Sequence, residues 1–571
     1  MERDVKYYVN RYNNLKQRRD NLRPKWTKIN KYVRNGGSLY DDVDDEGASD
    51  RVYESTAPDA LRKFVSVLMG LLWPSTKKSA RLKPIDEIPE TEENKKFFDK
   101  VSNKMGKRMD SPRSGFTQAL EMYLADLGSF GTGGIFISED PDTVVRYKAW
   151  GIKHIVIDEG ENGMVNVVYY ADRWTAKQIV ETYGYEKVSK KVKEAYDSVE
   201  LGNAKFKIIQ AIEPVMIKDR EGVPMFEWES VTFELDDEHV LKEGRFEEFP
   251  CPISRYYKDS DNTYGKSPAM ICYPAIMEIN TKVSHREMIE KQEIEPSLGY
   301  DVNAIRGDVL DSTPGTNTPF DMSLGGASNP VFRLIPPINV NITDRGIERL
   351  EEKISQAFNL DRLLDFNNNQ QMTATEAGLR ANIRGQANNA IFARQDAEMF
   401  TPLIERTFNI MFRAGEFGVI QGSEEHQELM KENENRAKLG LPIKPVEFIP
   451  EDIAKVMETG RDFYEVTYIS PASSMRESES LQGLINSVTQ IAQLAQIMPQ
   501  VMDNIDPDAV ARKVLEFNRA PMEIMVAKEA RDEKRQAQAE QQQLQQQQMN
   551  QSNQLTVEQQ QQDLEQGEAP Q

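Results

Sequence analysis

The stretch 264–295, YGKSPAMICYPAIMEINTKVSHREMIEKQEIE, decides how this chain is read. Tyr264-Gly265-Lys266-Ser267-Pro268 is a stop-and-start signal, and the spacing after it predicts a helix from Ala275 to Glu295, about 30 Å long. Ile276, Ile279 and Val283 give that helix an apolar stripe. From Lys282 onward the face fills with Lys282, His285, Arg286, Glu287, Glu290, Lys291, Glu293 and Glu295, so the helix leaves its core. The next segment, Pro296 to Asn341, is punctuated by Gly299, Gly307, Pro314-Gly315, Gly325-Gly326 and Pro336-Pro337, with short strands such as Val331 to Ile335 between them. A return helix, Ile347 to Leu360, keeps Ile347, Leu350, Ile354 and Phe358 on one side. The pattern builds a post with a knot at its tip, not a pocket. So polar a hairpin buries too little surface to stand alone, which implies that neighbouring copies pack beside it.

Working outward, 571 residues exceed what one core accommodates, since cores stop growing at about 250–300 residues, so several domains are expected. The apolar content of 39%, roughly 41% once glycine is counted and tyrosine is not, falls below the usual range of about 45–50%. An elongated or oligomeric protein fits better than one compact enzyme. The net charge of −21 argues against a protein that grips nucleic acid by counterion release. Residues 1–34 run against this, with eleven Lys and Arg facing only Glu2, Asp4 and Asp20; a solvated or acid-paired helix face is the first reading, phosphate contact the second. Cys251 and Cys272 match no metal spacing and suit a reducing compartment. No signal-peptide plan precedes the first apolar run, and Leu61–Trp73 is too short to cross a bilayer, so a buried helix is expected there and no membrane partner.

The first 250 residues read as a mixed α+β lobe. Its expected helices are a basic one to Arg34, then Pro58–Leu72, Glu92–Met109 and Phe116–Ser129, with Trp174–Tyr183 and Val188–Ser198 set among strands. Those strands are Gly134–Ser138, Val144–Ala149, His154–Asp158, Val165–Tyr170, Phe206–Ile217 and Phe226–Leu235. After the post, the capping box Thr373-Ala374-Thr375-Glu376 opens a helix of about forty residues to Ala414, bent near Pro402. Short strands at Val446–Ile449 and Phe463–Ile469 lead to helices Ser474–Met498 and Pro507–Phe517. The tail, Gln536–Gln571, holds seventeen Gln in thirty-six residues, a composition that suits disorder or a barrel of parallel helices.

No catalytic residue, cofactor or metal site emerges. Gly265-Lys266-Ser267 resembles the end of a phosphate loop, but Ser260 stands where the motif needs its first glycine. Gly131-Thr132-Gly133-Gly134 follows a helix and precedes a strand, the reverse of the dinucleotide-binding order, and reads as a tight turn. His154, His239, His285 and His426 lie in four different elements and make no zinc or catalytic set.

Four separated motifs carry a resemblance. They are Tyr53-Glu54-Ser55-Thr56-Ala57-Pro58-Asp59-Ala60 with its helix to Trp73-Pro74; Phe249-Pro250-Cys251-Pro252-Ile253-Ser254-Arg255-Tyr256 with Tyr264 to Pro268; Met372-Thr373-Ala374-Thr375-Glu376-Ala377 with Thr401 to Arg406; and Tyr468-Ile469-Ser470-Pro471-Ala472. In this order and spacing the chain resembles the portal, or head-to-tail connector, proteins of short-tailed bacteriophages. Ala80-Arg81 departs from the family, whose members often carry an aromatic pair there, which puts the local packing in question.

The resemblance implies a helix-rich α+β portal architecture of wing, stem, clip and crown, closing into a ring, typically of twelve subunits, around a channel for double-stranded DNA. It implies residues 1–268 as wing, 269–295 as a stem helix, 296–344 as clip, 345–361 as the second stem helix and 362–372 as a tunnel loop. Residues 373–473 would be the long spine helix and remaining wing, 474–530 the crown, and 531–571 the Gln-rich tail, which lies outside the match. Expected site residues are Asn367, Asn368, Asn369, Gln370 and Gln371 in the tunnel loop, Lys282, Arg286, Glu290 and Lys291 on the stem, and Arg306, Asp308, Asp311 and Arg333 on the clip, for motor or tail docking. Expected partners are further copies of the chain, DNA in transit, the packaging terminase, a tail adaptor, and capsid and scaffolding proteins. The implied place is the portal vertex of the virion, with the host cytoplasm during assembly. An internal scaffold or ejection protein is the alternative, and a motor ATPase or nuclease would need the phosphate loop that is absent.

Overall fold

A computed structural model describes residues 3–36, 52–74, 80–89, 91–198, 204–218, 224–301, 317–321, 331–334, 341–358, 391–438, 447–459, 463–468 and 483–493, with a few isolated positions besides. The chain divides into two compact units. One comprises Met1–Lys83, Asp99–Ile449 and Tyr464–Arg476; the other comprises Pro84–Phe98, Pro450–Phe463 and Glu477–Gln571.

In chain order the elements are α1 (Val5–Asp20), α2 (Arg23–Arg34), α3 (Thr56–Leu72), β1 (Ala80–Pro84), α4 (Glu92–Met109), α5 (Phe116–Phe130), β2 (Thr132–Asp140), β3 (Val144–Trp150), β4 (Ile155–Glu159) and β5 (Val165–Thr175). There follow α6 (Ala176–Tyr183), α7 (Lys190–Asp197), β6 (Lys205–Lys218), β7 (Pro224–Glu234), β8 (His239–Phe246), β9 (Ile253–Arg255), α8 (Pro268–Ile294), β10 (Leu298–Asp301), β11 (Asn317–Phe320), β12 (Val331–Arg333) and α9 (Asn341–Ala357). A helical segment from 391 passes through a π turn, Asp396–Phe400, into α10 (Thr401–Arg413), and α11 (Glu424–Lys438), α12 (Glu451–Glu458) and β13 (Tyr464–Tyr468) complete the set. The fold is α+β and helix-rich.

In the larger unit, β4-β5-β6-β7-β8 form an antiparallel meander. Alternation puts Ile209 and Ala211 on one face and Ile208 on the other. The first face packs under α1, where Tyr8, Tyr12 and Leu15 meet Val167, Tyr169, Val231 and Phe233. The second packs under α6 and α7, through Ile179, Val188 and Val192. Beside this meander β2 pairs with β3 and β9, and α5 leads directly into β2. In the smaller unit Asn94 donates to Pro89 O (2.9 Å) and to Asp452 (3.3 Å), which ties the start of α4 to α12.

The basic N-terminal segment forms two helices where one was expected, broken at Asn21-Leu22, because Pro24 has no N–H to continue the ladder and is tolerated only in a first turn. Some of its cations find carboxylates: Arg3 and Arg11 reach the buried Glu213, and Arg34 reaches Asp126 at 2.7 Å. Leu61 to Leu72 is helical, as expected, but buried on one face only, through Leu61, Phe64, Val65, Leu68 and Leu72, with Arg62 and Lys63 exposed; among the described residues no helix is long and apolar enough to cross a membrane. At Ala80-Arg81 the chain forms β1, with Leu82 buried and Arg81 3.6 Å from Asp99. The strand expected over Val446–Ile449 reduces, in its described part, to one bridge between Val419 and Phe448. The irregularity at Pro402 takes the form of the π turn, where Thr401 N–H reaches back to Asp396 O instead of making a regular α bond. The rest of the long helix, most of the last helices and the Gln-rich tail fall outside the described residues.

Two glycine motifs that imitate phosphate loops serve one backbone crossing. Gly131 ends α5 at φ 78°, and a Cβ there would stand 2.6 Å from Gly265 O and 2.7 Å from Ser267 N. Only glycine allows this approach. Gly265 N–H donates to Thr132 Oγ1 (2.9 Å) and Ser267 Oγ donates to Ser129 O (2.7 Å), so the crossing fixes the root of α8. The expected tight turn is thus the single residue Gly131, and Thr132 to Gly134 already belong to β2.

Candidate functional site

The α8–α9 pair begins at that crossing. Ser267 caps α8, its hydroxyl accepting from Met270 N–H at 2.9 Å, and Pro268 occupies the first turn, where no N–H is needed. The helix therefore starts seven residues earlier than the apolar stripe alone suggests. Over nearly its first half it buries Ala269, Met270, Cys272, Ala275, Ile276 and Ile279; beyond Ile279 no residue of α8 is fully buried. Met288 (60% exposed) and Ile294 (79%) stand in solvent in the single chain.

The return helix α9 spans Asn341–Ala357, starting and ending earlier than the expected Ile347–Leu360. Ile347, Leu350 and Ile354 are buried on one face, and Phe358 just beyond meets Phe64 of α3 edge-on at 5.8 Å. Burial at the root, at about 25 cal/mol per Å², is what holds the pair to the lobe.

Above the root the two helices face each other through charges. Lys282 pairs with Glu278 at 2.9 Å and lies against Gly346 of α9. Arg286 joins Glu290 of its own helix (2.9 Å) to Asp344 of α9 (3.1 Å). At the far end Glu293 binds Arg333 of β12 at 2.9 Å, which ties α8 to the small β11-β10-β12 sheet. Lys282 holds the exposed Glu278 carboxyl below its ordinary range, with Lys353 and Arg349 of α9 adding to the effect. Exposed pairs of this kind contribute about 0.2–1 kcal/mol each, so they set the register of the helices more than their stability.

Of the expected stem residues, Lys282, Arg286 and Glu290 come together in this ladder, while Lys291 is exposed and makes no ion pair among the described residues. Of the clip residues, Arg333 is paired with Glu293; Arg306, Asp308 and Asp311 lie outside the described residues, as do Asn367 to Gln371. The i, i+4 spacing of Glu278 with Lys282 and of Arg286 with Glu290 is readable in the sequence, whereas Asp344 and Glu293 enter through tertiary structure.

The segment that carries the chain into α10 is clamped at its base. Arg255 of β9, fully buried, binds both oxygens of Glu398 in the π turn, with Nη2 at 2.7 Å, and its Nη1 donates to Glu159. Gln395 donates to Arg255 O at 3.2 Å and accepts from Ser254 and Tyr123. Among the described residues no group of three or more His, Cys, Asp or Glu side chains is placed to hold a metal. His154 and His239 bond the carbonyls of Ala171 and Lys187, and His426 accepts from Gly422 N–H.

A family model described as bacteriophage head to tail connecting protein matches residues 6–427. The chain is similar to a probable portal protein of Bordetella phage BPP-1, 25% identical over 88% of this chain and 85% of that one. It is also similar to the portal protein of Salmonella phage epsilon15, 23% identical over 92% and 90%. A chain from the virion of a gene transfer agent particle aligns over 73% of this chain and 99% of its own at 10% identity and a TM-score of 0.28, a likeness too loose to bear on function.

Proposed function

This chain belongs to the family of bacteriophage head-to-tail connecting proteins, and on that footing we propose that it is the portal of a phage capsid vertex, twelve copies closing a ring through which DNA enters and leaves. The observation that carries the ring is the α8–α9 pair: apolar at its root, charged beyond Ile279, and leaving Met288 and Ile294 bare in a single chain. Identical pairs on either side would cover what one chain leaves exposed. On this reading 269–295 and 345–361 are the stem, 296–344 the clip, 362–372 the tunnel loop, 1–268 and 373–473 the wing with its spine helix, and 474–530 the crown.

A conduit must pass DNA without holding it, because each tight phosphate contact would be a trap during movement. The chain's −21 charge suits that demand. The role is structural and not enzymatic, with the terminase, a tail adaptor, and capsid and scaffolding proteins as successive partners, and assembly in the host cytoplasm.

Asn367 to Gln371 would face the bore as neutral amides, which touch phosphates by exchangeable hydrogen bonds. Replacing these five residues with Gly and Ser is expected to lower DNA retention in assembled particles several-fold, measured as the DNA-filled fraction after storage. Unchanged filling and retention would count against the tunnel loop. The alternative of an internal scaffold or ejection protein predicts no particle-bound ring at the vertex.

A further inference from the structure

A cleft of about 340 Å³ opens where α1 and the start of α2 meet the turn before β4 and the strands β5 and β6. Seven Lys and Arg side chains line it, against the single acid Asp172. In a chain with 92 acidic and 71 basic residues this is a reversal of the general balance. The sheet register sharpens it: Arg173 of β5 stands directly opposite Lys207 of β6, and like charges facing each other across a ladder destabilise it. Lys205, two positions along, shares the face of Lys207.

Lys16, Lys153 and Lys205 make no ion pair among the described residues, so their charge is available to a ligand. Asp172 accepts from Tyr170 OH and Trp174 Nε1, each at 3.3 Å, and its single charge offsets one of the seven cations. Arg19 is held in place by Asp20 and the carbonyls of Lys153 and Ile155. Burial, opposed by a bond to Ala171 O and by Asp172, keeps the His154 imidazole below its ordinary range, leaving it neutral at pH 7.

The geometry points to a binding site for closely spaced phosphate groups in this cleft, carried by the backbone of duplex DNA or by a free polyphosphate. A phosphodiester strand places one negative charge about every 3.4 Å, a density that a cleft with several cations on three elements can match. The site lies on the meander lobe rather than on α8–α9, and it stands whether or not the ring reading does.

The test is a lysine-modification footprint of the full-length, unaltered protein, with a short DNA duplex, with tripolyphosphate and with polyglutamate. Lys16, Lys153 and Lys205 are expected to be protected, and the exposed Lys177 unaffected. Protection by the duplex alone assigns the phosphates to DNA; protection by tripolyphosphate at equal phosphate concentration assigns them to a free anion. Protection by neither, or equal protection by polyglutamate, overturns the proposal. Where the duplex binds, the triple variant Lys16→Glu, Lys153→Glu, Lys205→Glu is expected to weaken it at least tenfold. The slope of log K against log salt should fall by about 2–3, at roughly 0.9 per lost phosphate contact. Wild-type affinity and slope in a folded triple variant would equally refute it, and the footprint decides the matter should that variant not fold.

Discussion

Replacing Arg255 with methionine is expected to destabilise the larger unit by about 3–5 kcal/mol, the usual cost of orphaning a buried charge. Arg255 is fully buried, and so nearly is Glu398, whose two oxygens it holds. Glu159 keeps Lys258 at 2.6 Å after the change, but Glu398 loses both guanidinium bonds and keeps only the backbone N–H at position 255 (2.9 Å) and Arg394 at 3.8 Å. At an unfolding entropy of about 2.1 cal/mol/K per residue, a unit of this length shifts by about 1 °C per kcal/mol, so its calorimetric transition should fall by roughly 3–5 °C. Adding Glu398→Met should restore much of the loss, because a buried ion pair exchanged for apolar groups of similar volume is often neutral. An unshifted transition in the single variant, or additive losses in the double, would show that the clamp does not anchor the π turn.

Phe358→Ala should cost about 3–5 kcal/mol through the cavity left at the foot of α9. Phe358 and Ile354 are fully buried, and Phe64 of α3 closes on the Phe358 ring from the side. The loss should be local first: amide exchange in α9 should speed up more than exchange in the β4–β8 meander, measured on the same sample. Equal acceleration in both would mean that the helical pair has no separate root. The charged upper half of the pair, with contributions of under about 1 kcal/mol per contact, cannot compensate for that loss.

Much of this arrangement is legible in the residue pattern, for a physical reason. Ile276, Ile279, Ile347, Leu350 and Ile354 recur at helical spacing because one stripe of each helix is buried, and burial writes periodicity into sequence. Strand β3 alternates in the same way, whereas Ile208 and Ile209 of β6 are both buried because helices cover both faces of the meander. What escaped has no such signature. His239–Phe246 forms the edge strand β8, mostly exposed, with Lys242, Glu243 and Arg245 where a core strand would be apolar. β9 is three residues long, and α11, Glu424–Lys438, is polar nearly all round. Arg255 and Glu398 lie 143 positions apart, so their pairing exists only in the folded chain. Glycine carries a different ambiguity: Gly131 and Gly265 resemble anion loops because both uses require a backbone with nothing in its way, and only the order of the surrounding elements separates the two.

The most direct measurement is electron microscopy of the purified full-length protein alongside its sedimentation. Rings with a central hole and rotational symmetry, at a mass of about a dozen chains, are what a charged helical pair flanked by its own copies requires. A compact, well-folded monomer, persisting at high concentration and under capsid-assembly conditions alike, would contradict it.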